Sequence, residues 1–312
     1  MVFLGTGGSL PSPKRNVTAV AVQLGSEIIL FDCGEGTQRQ FMFSSASFMK
    51  VSAVYISHLH GDHFLGLPAL IQSMSFNGRA KQLKVFGPPG MTKTMKDILG
   101  LGYFTPGFEV ETRDLEDGDI VEESDFTVKA VAVEHTVPSL GYVLEGSPRP
   151  GRFNLEKAKE LGVPPGPLFR VLQEGRTVEV DGRTISPSMV LGPIRRGLKF
   201  AISGDTRPSQ RFERAVHGSD VLVHEATVTS DLIGDAKEYG HTTARQAAEL
   251  ARSAKVRSLY LYHLSSRYDN PQPLLDEARM VFPDTYVAED LMSIDVNGSE
   301  CDDEAESLSE KF

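Results

Sequence analysis

Cysteine and long apolar runs are both scarce in this sequence. Its 312 residues include two cysteines, Cys33 and Cys301, which form neither a CxxC pair nor a disulfide framework. A metal site in this chain would therefore use nitrogen and oxygen ligands. No apolar run approaches the ~18 residues of a membrane helix, and the first residues, MVFLGTGGSLPSP, lack a basic leader before an apolar stretch. We therefore expect a cytoplasmic protein without a membrane segment.

Positive charge is also in deficit, but it is unevenly distributed. The formal net charge of -10 argues against a nucleic-acid partner, because phosphate contacts need clustered lysine and arginine. Between Arg149 and Lys199, however, ten basic residues stand against five acidic ones, whereas the final SECDDEAESLSEKF has six acidic residues and one lysine. We expect residues 296–312 to be an acidic, disordered tail to which no function is assigned, and the basic stretch to be a contact surface.

Short apolar segments that end in a polar residue recur along the chain. Helical patterns lie between these segments in both halves of the sequence, which predicts an α/β fold. We expect two sheets stacked face to face with helices outside, a four-layer αβ/βα sandwich over residues 1–295. Because the carboxyl ends of such strands share one edge, the polar residues there are site candidates. They are Asp32, the histidine cluster of SHLHGDH, His135, Asp205, Glu225 and His263.

Residues 146–197 depart from this pattern. They contain fifteen of the chain's 29 glycines and 18 prolines, so long regular elements are not expected there. One short helix, NLEKAKELG, is predicted to begin after Asn154 and to end at Gly162. We interpret the segment as an arm inserted into the 1–295 domain. A long disordered surface loop is the alternative.

The segment SHLHGDH indicates a metal centre. His58 and His60 are two residues apart in an extended segment, so both point to one side. Asp62 and His63 follow where the chain turns into a helix, which Asp62 is expected to cap while it faces a second ion. Together with the other strand ends, the candidate ligands are His58, His60, Asp62, His63, His135, Asp205 and His263. The alternative is that each histidine forms its own hydrogen bonds in the core or a loop. Three histidines within six residues make this alternative a poor fit.

Imidazole and carboxylate donors without thiolate favour Zn²⁺ at an open, catalytic site, although Mn²⁺ or Fe accept the same ligands. Two ions about 3.5 to 4 Å apart share a water, lower its pKa towards ~7 and stabilise the attacking and leaving oxygens of a displacement. The pattern thus predicts a hydrolase. The glycine-rich GTGGS could present backbone amides to a phosphate, but it does not open a βαβ unit, so no nucleotide cofactor is expected.

A family resemblance adds to this interpretation. In chain order, the motifs that carry it are FLGTGGSLPS, LFDCGEGTQRQ, SHLHGDHFLGLPAL, HTVPSLGYVLE, ISGDT, LVHEAT, GHTTARQAAELA and YHLSSRY. They resemble the ribonuclease Z family, tRNA 3′-processing endonucleases with the metallo-β-lactamase fold, over nearly the whole chain. The resemblance implies two Zn²⁺ ions: one held by His58, His60 and His135, one by Asp62, His63 and His263, with Asp205 as a bridge.

The resemblance also implies the roles of three residues. Asp62 would be the general base, and His241 the general acid that protonates the leaving 3′ oxygen, with Glu225 supporting it. A histidine outside the metal ligands with a pKa near neutrality suits that task. The alternative is that His241 merely precedes a helix capped by Thr242 or Thr243.

Substrate binding is likewise implied. GVPPGPLFRVLQEG resembles the family's arm that binds the tRNA body, and the expected RNA contacts are Lys157, Lys159, Arg170 and Arg176. Lys14 and Arg15 lie in PSPKRN, which departs from the family's PxKxRN, so they are either RNA contacts or solvated turn residues, and the cleavage position stays open.

The expected activity is removal of the 3′ trailer from precursor tRNA, leaving a 3′-hydroxyl on the tRNA and a 5′-phosphate on the trailer, by a homodimer. Two alternatives remain. One is a binuclear phosphodiesterase of the same fold that acts on small phosphodiesters, and the other is a non-catalytic RNA-binding relative.

Overall fold

The computed structural model describes residues 1–296, so nearly all of the predicted acidic tail, with Cys301, lies outside the described residues. The chain divides into two units. The first comprises residues 1–123, 127–144 and 199–296, and the second comprises residues 124–126 and 145–198. No helix within residues 1–296 is long and apolar enough to cross a membrane.

Seventeen strands occur within the described residues. In chain order they are β1 (Val2–Gly5), β2 (Gly7–Gly8), β3 (Ala19–Leu24), β4 (Glu27–Phe31), β5 (Val51–Tyr55), β6 (Leu83–Gly87), β7 (Val110–Asp114), β8 (Ile120–Glu122), β9 (Phe126–Val133), β10 (Ser139–Gly146), β11 (Val178–Val180), β12 (Arg183–Ile185), β13 (Lys199–Ile202), β14 (Val221–Glu225), β15 (Ser258–Tyr262), β16 (Leu264–Ser265) and β17 (Thr285–Val287).

Ten α-helices accompany them. They are α1 (Thr37–Phe43), α2 (Gly61–Phe64), α3 (Leu67–Phe76), α4 (Met91–Leu99), α5 (Leu155–Glu160), α6 (Pro167–Gln173), α7 (Gln210–Ala215), α8 (Ile233–Tyr239), α9 (Ala244–Ser253) and α10 (Gln272–Arg279). Single 3₁₀ turns lie at Phe48–Lys50, Pro187–Met189 and Ser230–Leu232.

Two sheets form the centre of the first unit. One has the order β1-β3-β4-β5-β6-β7, and the other β17-β15-β14-β13-β10-β9-β8. The run from β4 to β7 is parallel, as is the run β13-β14-β15-β17. Parallel neighbours place their carboxyl ends at the same edge, which is where the candidate ligands follow β5, β13 and β15. A short parallel pair, β2 with β16, lies at that edge as well.

An aromatic layer joins the facing sides of the two sheets. The ring centroids of Phe31 and Phe200 are 5.3 Å apart, and those of Tyr55 and Tyr142 are also 5.3 Å apart. Because side chains alternate along a strand, Val54 next to Tyr55 instead points to the helix side. Aromatic pairs at these separations contribute roughly 0.5–1.5 kcal/mol each beyond their buried area. The two sheets are therefore stacked face to face.

Helices cover the outer faces. Buried residues of α1, α3 and α4 pack on the first sheet, and those of α7, α9 and α10 on the second. Helix α9 presents an alanine face to β14 and β15, and small side chains allow that close approach. Thr243 and Gln246 cap its start reciprocally. The predicted four-layer αβ/βα sandwich is confirmed.

The second unit has a small core of its own. Helix α5 begins as predicted, because the Asn154 side chain accepts a hydrogen bond from the Lys157 amide at 2.9 Å, and Gly162 follows its end with φ 79°. Two elements were not predicted. Helix α6 begins at a proline in its first turn, and β11 and β12 form a hairpin whose turn residues Asp181 and Gly182 both have positive φ, which is typical of a type I′ turn.

Candidate metal centre

All seven predicted ligands converge at the carboxyl edge of the two sheets. The loop after β5 carries four of them, and one each follows β9, β13 and β15. In every group of three that can share an ion, the ligand atoms lie within 4.8 Å of one another. These groups are His58 with His60 and His135, His58 with His63 and Asp205, Asp62 with His63 and His263, and Asp205 with His241 and His263.

The first ligand group consists of three imidazoles. Nε2 of His58 lies 3.0 Å from Nδ1 of His60, and Nε2 of His135 lies 3.3 Å from that same Nδ1. Two nitrogens bound to one tetrahedral zinc at 2.0–2.1 Å are about 3.3 Å apart. The spacing therefore matches ligands of a common ion.

The second group contains a carboxylate and two imidazoles. Oδ2 of Asp62 is 3.5 Å from Nε2 of both His63 and His263. Oδ2 of Asp205 lies between the two groups, at 3.1 Å from Nε2 of His263 and 3.8 Å from Nε2 of His58. Its position suits a bridging ligand.

Buried atoms without partners support a metal at this place. Among residues 1–296, Nε2 of His63, Nε2 of His263 and Oδ1 of Asp205 are buried and lack any hydrogen-bond partner. A buried polar atom left unpaired costs roughly 1–3 kcal/mol, and more when charged. All three residues belong to groups whose ligand atoms lie within 4.8 Å of one another, so the cluster is suited to bind a metal that accepts imidazole and carboxylate donors.

Hydrogen bonds on the far side of the rings orient two of the histidines. Nδ1 of His63 donates to Oδ2 of Asp32 at 2.8 Å, and Nδ1 of His135 donates to the Gly240 carbonyl at 2.8 Å. Asp32 is itself held by the Ser57 amide at 2.7 Å, in a left-handed backbone conformation with φ 55°. Such contacts fix the tautomer, so that Nε2 carries no proton and is able to bind a metal ion.

Asp62 does not cap a helix, contrary to the prediction. It lies inside α2, whose first turn has no side-chain cap. Its Oδ2 instead accepts a hydrogen bond from the amide of Ser9 at 2.9 Å. Two further amides of GTGGS are engaged within the protein, since those of Thr6 and Gly7 donate to the Asn16 carbonyl at 3.0 and 2.9 Å. The Ser9 amide of this loop therefore orients the carboxylate of Asp62.

His241 and Glu225 form a hydrogen-bonded pair beside the ligands. Nδ1 of His241 lies 3.0 Å from Oε1 of Glu225, the fully buried last residue of β14, and Oε1 also accepts from the Thr206 amide at 2.9 Å. Burial alone would lower the pKa of His241, but the neighbouring Glu225 carboxylate outweighs it and raises that pKa to about 9. Thr243 caps α9, and His241 precedes it with its ring turned to Glu225.

Four of the candidate ligands, His60, Asp62, His135 and Asp205, line one cleft of about 350 Å³ together with His241. Its rim includes Tyr239, whose exposed fraction is 61%, and Arg267, whose Nη1 lies 3.4 Å from Oδ2 of Asp235. An exposed aromatic ring and a guanidinium beside a reactive centre are suited to a nucleobase and a phosphate. Sequence patterns gave no reason to select either residue.

Two predicted RNA contacts lie near the amino terminus. Lys14 is exposed, and its Nζ donates to the Asp269 carbonyl at 3.1 Å. Arg15 is half-buried, with Nη1 donating to Oγ1 of Thr6 and to the Ala288 carbonyl, both at 2.6 Å. Arg15 therefore ties the loop to the protein core, and Lys14 is the more accessible cation.

Four further predicted contacts lie in the second unit. Lys157 and Lys159 are exposed on α5. Arg170 and Arg176 are exposed as well, but both pair with the carboxylate of Glu174. The pairing lowers the pKa of Glu174 through the hydrogen bonds from the two guanidinium groups.

Comparisons with known proteins agree with this geometry. The chain is 49% identical over 297 residues to Ribonuclease Z of Methanosarcina mazei, covering 95% of this chain and 97% of that protein. The crystal structure of human tRNase Z, short form, is similar with a TM-score of 0.68 at 26% identity, covering 95% of this chain and 98% of that one.

Two other matches are more limited. The metallo-β-lactamase fold protein YhfI from Bacillus subtilis has a TM-score of 0.66 at 19% identity, covering 92% and 95% of the two chains, and this shows the fold alone. A family model described as Anti-Pycsar protein Apyc1 matches residues 1–147, less than half of the chain. From the full-length identity to its curated relative, the chain belongs to the ribonuclease Z family, within the metallo-β-lactamase fold.

Proposed function

We infer that the protein is an endoribonuclease that removes the 3′ trailer from precursor tRNA by phosphodiester hydrolysis. The observation that carries this inference is that His241, held by Glu225, lines the same cleft as the candidate ligands His60, Asp62, His135 and Asp205. A phosphodiester in that cleft meets the ligand cluster and a proton donor together. The curated relatives named Ribonuclease Z and the similar human tRNase Z support precursor tRNA as the substrate.

We propose that two Zn²⁺ ions bind per chain, with the ligand division that the resemblance implies and with Asp205 between them. Mn²⁺ or Fe fits the same donors. When bound, the ions lower the pKa of a shared water and neutralise charge on the phosphoryl oxygens.

The protein's own residues orient the reactants and move the protons. Asp62, held by the Ser9 amide, orients the attacking water and accepts its proton. His241 turns Nδ1 to Glu225, so Nε2 is left to protonate the leaving 3′ oxygen. The tRNA then ends in a 3′-hydroxyl and the trailer begins with a 5′-phosphate.

The second unit is proposed as the surface that holds the tRNA body. Its exposed cations offer phosphate contacts, of which Lys157 and Lys159 are the most accessible, because Glu174 engages Arg170 and Arg176. Lys14 is a further candidate near the cleft, and Arg15 supports its loop. We also propose that the protein is a cytoplasmic homodimer, and light scattering during gel filtration tests the dimer.

The test is to incubate Zn²⁺-loaded protein with a 3′-extended tRNA transcript and to map the product ends. A single cut after the acceptor stem with the end groups given above is expected. His241→Ala should lower kcat by roughly 10²–10⁴-fold, the usual contribution of a general acid. The double substitution Lys157→Ala/Lys159→Ala should raise KM with kcat retained. Lys93→Ala/Lys96→Ala, on exposed positions of α4, is the matched control.

A second candidate is hydrolysis of small phosphodiesters, since the same ligands serve both reactions and the Apyc1 family model matches part of the chain. Turnover of bis(p-nitrophenyl) phosphate without any cut in precursor tRNA would favour it. Tight binding of tRNA by metal-loaded protein without turnover of either substrate would instead favour a non-catalytic RNA-binding protein.

A further inference from the structure

Thr227 lies between the metal ligands and the proton donor. Its Oγ1 is 2.8 Å from Oε2 of Glu225, 3.1 Å from Nδ1 of His263 and 3.2 Å from the His263 carbonyl oxygen. The residue follows β14 by two positions and lines the cleft. The Thr227 hydroxyl therefore contacts both the candidate metal ligand His263 and the carboxylate of Glu225, which holds His241.

The direction of each hydrogen bond follows from the ligand geometry. Nε2 of His263 faces Asp205 and Asp62 and has no hydrogen-bond partner among the described residues, so it is the atom that would bind the ion. Its Nδ1 then carries the proton and donates to Oγ1 of Thr227. The hydroxyl has a single proton, and the carboxylate of Glu225 is the nearer and more strongly accepting partner.

Glu225 completes the connection. Its Oε2 accepts from Thr227, while its Oε1 accepts from Nδ1 of His241 at 3.0 Å. The hydrogen bonds thus run from His263 through Thr227 to Glu225, and from His241 to the same carboxylate. Each group in this series either donates or accepts in a way that agrees with its neighbours, and the three hydrogen bonds connect the residues directly, without a bridging water.

We propose that Thr227 is a positioning residue that couples the metal ligand His263 to the Glu225–His241 acid pair. It holds the imidazole of His263 in the tautomer that presents Nε2 to the ion, and it fixes the Glu225 carboxylate so that Oε1 faces His241. The proposal rests on the proposed function for the role of His241, whereas its link to His263 does not.

Loss of the hydroxyl has two separate consequences. The Nδ1 proton of His263, a fully buried residue, would be left without this acceptor. The Oε2 atom of Glu225 would keep only the Thr227 amide at 3.3 Å, a weaker contact than the 2.8 Å bond from the hydroxyl. The first should weaken metal binding, and the second should loosen the orientation of His241.

The experiment compares Thr227→Val, which removes the hydroxyl, with Thr227→Ser, which keeps it. Thr229→Val is the matched control, because it removes a hydroxyl two residues away that bonds Asp231 and Tyr268 outside the series. Zn²⁺ affinity is measured by competition with a chromogenic chelator. Rates are then measured at saturating Zn²⁺ on 3′-extended tRNA and on bis(p-nitrophenyl) phosphate, whose leaving group needs no proton.

For Thr227→Val we expect Zn²⁺ affinity to fall by about 10–100-fold, the usual effect of losing a partner of a metal ligand. At saturating Zn²⁺, kcat on tRNA should fall by about tenfold or more with KM unchanged, and the rate on the small substrate should fall much less. Thr227→Ser should restore both properties to within about threefold, and Thr229→Val should match the wild type.

Double substitution keeps the proposal testable if Thr227→Val is destabilised. In the His241→Ala background, adding Thr227→Val should reduce kcat on tRNA far less than in the wild type, because both changes disable one unit. Wild-type Zn²⁺ affinity and kcat in Thr227→Val, failure of serine to rescue, or equal losses on the two substrates would each overturn the coupling. If the wild type does not cut tRNA, the proposed function fails. The Zn²⁺ affinity of Thr227→Val still tests whether the Thr227 hydroxyl positions His263 for metal binding.

Discussion

Gly8 lies against the ring of His263, and this contact yields a quantitative prediction. A Cβ added to Gly8 would be 2.7 Å from both Cε1 and Nδ1 of His263. Ordinary contact begins at 3.4 Å, so the ring would have to move by about 0.7 Å. Thr227 Oγ1, 3.1 Å from the same Nδ1, restricts that movement. Misplacement of a reacting group by about 1 Å costs on the order of 10²-fold in rate.

We therefore expect Gly8→Ala to lower kcat/KM on 3′-extended tRNA by about 10–100-fold, equivalent to about 1.4–2.7 kcal/mol. Zn²⁺ affinity should fall as well. Gly234→Ala is the control, because Gly234 lies in α8 with no atom near its would-be Cβ. Rates and metal affinity of Gly8→Ala within twofold of the wild type would refute the reasoning.

Three further predictions concern other parts of the protein. Asp32→Asn weakens the hydrogen bond to His63, so a chelator competition should show about 10–100-fold weaker Zn²⁺ binding. Burial alone would raise the pKa of Asp114, but hydrogen bonds from Thr92 and Gly90 at the start of α4 lower it. Its stabilisation is therefore present above the unfolded pKa of ~3.9 and lost as the pH falls through the lowered value. Asp114→Asn should cost roughly 0.5–1 kcal/mol in urea unfolding at pH 7, at the lower end for hydrogen bonds because the carboxylate is largely solvated, and the difference should shrink towards pH 3. Tyr239→Ala should raise KM for tRNA by about tenfold, the order of one lost stacked base, and an unchanged KM would argue against stacking.

The convergence of the candidate ligands could be predicted from the sequence, because residue spacing and strand ends determine it. His58 and His60 are two residues apart in an extended segment, so their side chains point to the same side. The parallel strands bring Asp205 and His263 to the same edge of the sheet. The helices that cover the sheets were also found, since their apolar faces are periodic. Helix α9 (Ala244–Ser253), for example, buries Ala244, Ala247, Ala248 and Ala251 on one face.

The supporting contacts could not be predicted, because they depend on backbone positions. Gly8 meets His263 across 255 residues only through the pairing of β2 with β16. Asp32 was recognised as a polar strand end, but its place behind His63 depends on a left-handed backbone that spacing does not encode. Arg15 was expected either to contact RNA or to be a solvated turn residue, and its sequence context does not reveal that the guanidinium donates a hydrogen bond to Thr6.

The most direct test of the central claim is the metal content of the active protein. Elemental analysis after removal of loosely bound ions should find two transition-metal ions per chain, and stepwise removal with a chelator should abolish cleavage of 3′-extended tRNA in parallel with their loss. Full cleavage by protein that contains no transition metal would contradict the account.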